Sequence, residues 1–225
     1  MAGYLSEADH VRVSAAVAEA ESRTAGEIVT VVADRSDGYS DIALAWSALA
    51  AFTALVVLAL VPEMWLDAAD WLLDHWAHEW TPREVLTLAA VVAIAKFLVV
   101  WLVQLWPPLK FWLVLPPIKT QRTLERAIAL FKVGAERRTH GRTGILIYLS
   151  MREHRAEILA DEAIASKVPP ETWGEAMAAM LVQIKDGRVA DGMIAAVERV
   201  GAVLAEHFPR AENDTNELPD RLIEL

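Results

Sequence analysis

The sequence predicts an α/β domain with a small mixed sheet, interrupted by a two-helix transmembrane hairpin. Two observations lead to this fold class: two long apolar runs, and β-branched, strand-like segments on both sides of them. Residues 42–61 contain no charged side chain, and twenty helical residues at about 1.5 Å each can cross a hydrocarbon core of roughly 30 Å. Residues 85–106 form a second apolar run. A soluble chain of this length would have too little polar sequence to cover both runs, so membrane crossing is favoured over burial.

Charge near the ends of the two crossings predicts their orientation. The connection 62–84 carries Arg83 as its only basic residue together with six acidic residues, whereas lysines and arginines collect outside the hairpin. Positive residues favour the cytoplasmic side. Both termini are therefore predicted to be cytoplasmic, in a multi-pass protein of the inner membrane. Acidic residues contribute little to this rule, so the opposite orientation stays open.

Composition excludes several kinds of site. The chain of 225 residues has a formal net charge of −10 and no cysteine. Binding to nucleic acid requires a concentrated basic surface, which this sequence lacks. Without cysteine, neither disulfides nor thiolate metal sites can form.

The first 41 residues predict a helix followed by a buried strand. Ser6 with Asp9 three residues later is typical of a helix start, because both side chains can satisfy free amides there. Residues 27–33 are rich in β-branched side chains and follow Gly26, which predicts a strand. One helix and one strand cannot form a domain, so residues 1–41 are predicted to be completed by the chain beyond the hairpin.

The connection 62–84 is predicted to be an acidic, tryptophan-rich, extracytoplasmic segment lying on the membrane surface. Residues 107–118 begin with two prolines and are predicted to be a linker along the inner interface. Indole rings favour the headgroup region. The tryptophans predicted to lie at the two interfaces are Trp65, Trp76, Trp80 and Trp112.

Residues 119–209 are predicted to supply the second part of the domain. A helix with one apolar face covers 119–138, and the apolar run 143–149 predicts a central strand. Residues 154–160 predict a strand antiparallel to it, and two more helices follow. The tail 210–225 is short and acidic, and it is predicted to be poorly ordered.

Two segments on either side of the hairpin carry a family resemblance. Glu-Ile-Val-Thr-Val-Val from Glu27, followed much later by the run from Arg142 to Asp161, resembles the TPM domain of thylakoid-lumen and photosystem-repair proteins and of bacterial membrane proteins with a hairpin. The resemblance implies a compact α/β sandwich. In some members it implies acid phosphatase activity with divalent-metal binding, and in others a non-enzymatic accessory role in a membrane complex. The family's positions fall on Gly144, Arg155 and Asp161–Glu162.

Asp161 and Glu162 are the candidate metal ligands. If the second and third strands pair antiparallel, these carboxylates lie near Arg142, and carboxylate oxygens suit Ca²⁺ or Mg²⁺. Arg142 and Arg155 are candidates for binding phosphate or forming an ion pair. A solvated loop with a surface ion pair explains the same residues, and no cofactor is assured.

A second group of acids follows the first strand, at Asp34, Asp37 and Asp41. This is the end of a parallel strand at which open sheets tend to bind ligands. Turn formation by aspartate and glycine explains the group more simply.

Lys96 and Gln104 are the polar residues predicted to lie within the membrane. A lysine far from either end of a crossing needs a partner or access to water, and residues 42–61 offer no acid. Two explanations stay open: association with itself or another membrane protein, or a shifted crossing over 97–115 from which Lys96 reaches the outer interface.

Together these features favour a non-enzymatic accessory or scaffold for a membrane complex, with a membrane protein or a second copy as partner. The alternative is a divalent-metal-dependent, acid-phosphatase-like hydrolase that uses Asp161 and Glu162. The sequence shows no nucleophile motif or phosphate-binding glycine loop that would favour the enzyme.

Overall fold

The computed structural model describes residues 3–73, 79–134, 143–210 and 221–225. The chain divides into two compact units. The first comprises Met1–Asp37 and Pro116–Leu225, and is called the domain below. The second, Gly38–Leu115, is the hairpin unit.

A mixed sheet of four strands forms the centre of the domain. Its strands are β1 (Glu27–Ala33), β2 (Gly144–Ser150), β3 (Arg155–Ala160) and β4 (Ile223–Glu224), in the order β3-β2-β1-β4. β1 pairs in parallel with both β2 and β4, while β2 and β3 are antiparallel. The predicted α/β fold with a small mixed sheet is confirmed.

β4 was not predicted from the sequence. Within the tail described as acidic and poorly ordered, Leu222 is buried, and the amide of Leu225 donates to the carbonyl of Val32 at 3.0 Å. Two strand residues are too few to produce an alternating pattern. A free edge on β1 supplies the hydrogen-bonding partners that make this strand possible.

α1 (Glu7–Glu21) begins as the sequence predicts. The Asp9 amide donates to the Ser6 hydroxyl at 3.2 Å, and the Ser6 amide donates to the Asp9 carboxylate at 3.2 Å. This reciprocal arrangement satisfies amides that the first helical turn leaves free.

The hairpin unit contains α2 (Ser40–Leu60), α3 (Pro62–Leu73), α4 (Pro82–Val103) and α5 (Pro107–Leu113). α2 and α4 are long and apolar enough to cross a membrane. α4 begins before the predicted Val85, because Thr81 and Glu84 cap its first turn reciprocally. α4 also ends before Trp106.

Residues 97–115 do not form the one continuous helix that the shifted crossing requires. α4 ends at Val103, and a separate helix, α5, starts at Pro107. Proline lacks the amide needed to continue a helix, and its ring clashes with the preceding turn. Lys96 therefore belongs to a helix that ends seven residues after it.

Helices cover both faces of the sheet. α6 (Pro116–Gly134) lies on one face, where Phe131 packs against Leu146 and Tyr148. α6 starts before the predicted Lys119, since proline is well suited to a first helical turn. The larger core on the opposite face joins α1 to three helices: α7 (Glu162–Ala165), α8 (Thr172–Lys185) and α9 (Val189–His207).

Candidate functional site

A cleft of 760 Å³ lies at the carboxyl ends of the parallel strands. The side chains of Asp34, just after β1, and Arg152, just after β2, line it together with Tyr4, His10 and Glu224. Parallel strands bring their carboxyl ends to one edge, where open sheets commonly bind ligands. Of the three acids that follow β1 in sequence, Asp34 is the one that lines this cleft.

Asp34 is held by two donors. Arg152 Nε lies 2.9 Å from Oδ1 and 3.0 Å from Oδ2, and the Tyr4 hydroxyl donates to Oδ1 at 2.5 Å. Burial alone would raise the pKa of Asp34, but the bonds from Tyr4 and Arg152 outweigh it and lower the pKa below its ordinary value. The carboxylate is therefore ionised at neutral pH and already bonded within the protein.

Glu224 joins the two ends of the domain. Its Oε1 accepts from the Tyr4 amide, and its Oε2 lies 3.0 Å from His10 Nε2. These bonds link the segment before α1, the helix itself and β4. The cleft is thus built from contacts that fasten β4 to the sheet, a role that sequence reasoning missed because the partners are more than 200 residues apart.

Replacing Tyr4 with phenylalanine is expected to lower the free energy of unfolding by about 1 kcal/mol at pH 7, because Asp34 loses a hydroxyl donor. The folded-state pKa of Asp34 lies below its ordinary 3.8, so its bonds stabilise the fold above that pH and are lost as the pH falls through the folded value. The difference between the two proteins should therefore shrink below about pH 3.8. Denaturation followed at several pH values measures it, and a difference that stays constant down to pH 2 would contradict the role given to Asp34.

A second polar cluster is buried between β1, β2 and α6. Glu153 is 2% exposed; its Oε1 accepts from the Ser36 amide at 2.9 Å, and its Oε2 accepts from the Ser150 hydroxyl. The Ser36 hydroxyl lies 3.0 Å from that of Tyr148 and 3.4 Å from that of Thr123. In the sequence, residues 150–153 indicate only a turn.

Asp161 lies where the sequence predicts, beside the start of β2. It is 4% exposed, and its Oδ2 accepts from the Gly144 amide at 3.1 Å. The Asp161 amide donates in turn to the Gly144 carbonyl at 2.9 Å. Glu162 follows as the exposed first residue of α7.

Metal binding by Asp161 and Glu162 stays a prediction. Across residues 3–73, 79–134, 143–210 and 221–225, no group of three His, Cys, Asp or Glu side chains is placed to hold an ion. Arg142, their predicted neighbour, lies outside the described residues.

The structure does not bring Arg155 together with Asp161. The two residues stand at opposite ends of β3, which at about 3.3 Å per strand residue separates them by roughly 20 Å. Arg155 Nε donates to the Thr120 hydroxyl of α6 at 3.2 Å, and Nη1 donates to the His154 carbonyl at 3.1 Å. Arg155 thus ties the outer strand to α6.

Gln104 connects the two apolar helices of the hairpin unit. It is 3% exposed, and its Nε2 donates to the Ala43 carbonyl of α2 at 3.1 Å and to the Val100 carbonyl of α4 at 3.0 Å. A side-chain amide between apolar helices gains these bonds in place of water.

The predicted interfacial tryptophans have different surroundings. Trp80 Nε1 donates to Asp70 at 3.1 Å, and Trp112 is 78% exposed. Trp65 is half-buried, and its Nε1 has no hydrogen-bond acceptor within the part of the chain that the structure describes. Trp76 lies outside that part.

The chain resembles known proteins in its fold and in one segment. Residues 113–203 match the family model of the TPM domain, which confirms the resemblance for that segment. The NMR structure of the BA42 protein from the psychrophilic bacterium Bizionia argentinensis is similar, with a TM-score of 0.57 and 16% identity over 100% of this chain and 98% of that chain. At that identity the likeness shows the fold alone. None of the curated proteins matches the chain.

Proposed function

We propose that the chain, whose residues 113–203 match the family model of the TPM domain, is a membrane-anchored TPM-domain protein acting as a non-enzymatic accessory or scaffold of a membrane complex. The hairpin unit inserts into the inner membrane, and both termini lie in the cytoplasm. The positive residues outside the connection 62–84 support this orientation.

The observation that carries the proposal is the exposure of α4. None of its 22 residues, all of them described, is buried, although the helix is apolar enough to cross a membrane. A helix in the core of a soluble protein would be covered by its own chain. An uncovered apolar surface of this extent requires lipid or another protein.

The polar groups of the domain support a role without catalysis. Asp34, Glu153, Asp161 and Glu224 are each bonded to groups of the domain itself. Asp34 and Glu224 line the cleft, but each is already held by side chains of the domain, Asp34 by Tyr4 and Arg152 and Glu224 by His10. The bonding of these four stabilises the fold and the attachment of β4.

Gentle solubilisation of membranes that contain the full chain tests the proposal. The chain is expected to migrate in a complex larger than itself, in equal amount when Asp161→Asn and Glu162→Gln are introduced together. Asparagine keeps an oxygen that can accept from the Gly144 amide, so the fold is preserved. The opposite result is a chain that migrates alone, hydrolyses p-nitrophenyl phosphate with Mg²⁺ or Ca²⁺, and loses that activity in the double variant. That result would reject the scaffold function and favour the hydrolase.

Divalent ions are expected to leave the Tm of the detergent-purified chain unchanged relative to chelator. A folded-state ligand at 100 times its Kd stabilises by about 2.7 kcal/mol, which for a chain of this size would raise the Tm by about 5–10 °C. Calorimetry with Ca²⁺, Mg²⁺ and Mn²⁺ makes the measurement. A rise of that size in the wild type, absent from the Asp161→Asn, Glu162→Gln variant, would locate a metal site and contradict the expectation.

A further inference from the structure

We propose that one groove of the hairpin unit binds a transmembrane helix of a different protein, and that this helix carries an aspartate or glutamate opposite Lys96. The groove, called the Lys96 groove below, has a volume of 580 Å³ and is lined by Trp46, Leu49, Thr53, Trp65, Lys96 and Val100, among others. The inference rests on the proposed scaffold function and names the chemistry of the partner.

Small side chains make the Lys96 groove suitable for a helix. α2 contributes Ala50, Thr53 and Ala54 to the wall of the groove. Ala50 lies about one helical turn before the other two, so all three share one face of α2. In membranes, small residues allow two helix backbones to approach closely, and packing then stabilises the association. The shape of the groove therefore favours a helix over a bulky, irregular segment.

Lys96 places a positive charge on this apolar wall, far from both ends of α4. It is followed by seven residues of α4 and preceded by fourteen, which puts it roughly 10 Å and 20 Å from the two ends of the helix. A lysine side chain spans about 6 Å and leans towards the helix N-terminus, here the more distant end. The ammonium group therefore stays within the hydrocarbon region, where an uncompensated charge is costly.

No described carboxylate forms an ion pair with Lys96. Trp65 lines the same groove, and its buried Nε1 has no acceptor among the described residues. Both groups are donors, and a carboxylate accepts from donors of either kind. Among acceptors that could serve both groups, a carboxylate is the one that also neutralises the charge of Lys96.

The apolar helices of a second copy do not supply that acid. The acids of the two apolar helices are Asp41 and Glu84, each in the first turn of its helix. Residues 42–60 and 85–103 contain none, so neither apolar helix of a copy packed in the groove would bring a carboxylate to the depth of Lys96. The charge instead matches a transmembrane helix of different sequence.

Photo-crosslinking in native membranes tests the proposal with p-benzoylphenylalanine in the full chain. The probe replaces Leu49, which lines the Lys96 groove and is 54% exposed, or Leu98, which is 46% exposed and lies outside it. Leu98 is about 200° around α4 from Lys96. Each probe is combined with Lys96, with Lys96→Met, which removes the charge at similar length, and with Lys96→Arg, which keeps it.

The Leu49 probe is expected to form an adduct with a membrane protein in the wild type and in Lys96→Arg. Peptide mapping should place the adduct in a membrane span that contains Asp or Glu. The yield should fall roughly tenfold or more in Lys96→Met and in a partner whose acid is replaced by alanine. The Leu98 probe should not form this adduct.

Three results would overturn the proposal. The first is a Leu49 adduct with a phospholipid, which would make an anionic headgroup the partner of Lys96. The second is a protein adduct whose yield is unchanged in Lys96→Met. The third is a protein adduct in a membrane span that contains no acid. In each case, a complex that persists on gentle solubilisation leaves the scaffold function standing. The absence of any complex in the wild type would instead reject the scaffold function itself.

Discussion

Replacing Leu204 with alanine is expected to lower the free energy of unfolding of the domain by about 3 kcal/mol. The Leu204 side chain is fully buried in the core between α9, α1 and the sheet. It fills the space so closely that a Cβ on Gly26 would lie 2.9 Å from Leu204 Cδ1. Alanine would leave a cavity that these packed neighbours can close only partly.

Hydrogen exchange of the full chain in mild detergent measures this effect. The amides of β2 exchange by opening of the whole domain, so their rate should rise roughly 100-fold in the Leu204→Ala variant. Val182→Ala, on α8 and 60% exposed, is the control and should change stability by less than about 0.5 kcal/mol. Equal effects of the two substitutions would show that α9 does not pack as described.

Replacing Glu153 with alanine is expected to cost about 3 kcal/mol as well, for a different reason. Its two oxygens accept from the Ser36 amide and from the Ser150 hydroxyl, and the side chains of Glu153 and Ser150 are both buried. Without the carboxylate both donors lose their acceptor, and the loss costs most, about 1–3 kcal/mol, at the buried Ser150 hydroxyl. The segment after β1 should then open before the rest of the domain.

Glu153→Gln is the matched variant, and it should cost about 1 kcal/mol. Its amide oxygen can still accept from Ser36, and the Ser150 hydroxyl can rotate to accept from the amide nitrogen. Exchange of the Ser36 amide, with β2 as the reference, distinguishes the three proteins. If alanine and glutamine were equally costly, packing volume and not hydrogen bonding would explain the role of Glu153.

Segments with a strong local signal were predicted well from the sequence. β1 covers the predicted residues 27–33, because its β-branched side chains require a buried strand and Gly26 precedes it. The start of α1 follows from the short-range geometry of Ser6 and Asp9. The antiparallel pairing of β2 and β3 follows from the short turn between them.

The polar sites could not be predicted in the same way. The cleft joins Tyr4 and Glu224 to Arg152, and the buried cluster joins Ser36 to Glu153, over separations that no local pattern encodes. Asp161 was predicted beside β2, since an antiparallel pair fixes that proximity. The hydrogen bond that Asp161 accepts from the Gly144 amide depends on the burial of both groups, so the residue types alone could not predict it.

The sequence by itself determined the α/β class, the two apolar helices and the odd position of Lys96, because hydrophobic periodicity, run length and isolated charge are properties of the chain alone. Only the tertiary structure decided that β4 completes the sheet, that Arg155 contacts α6 and not Asp161, and that Lys96 lines a groove with Trp65. These facts depend on which distant surfaces meet and on which polar groups lose water when they do.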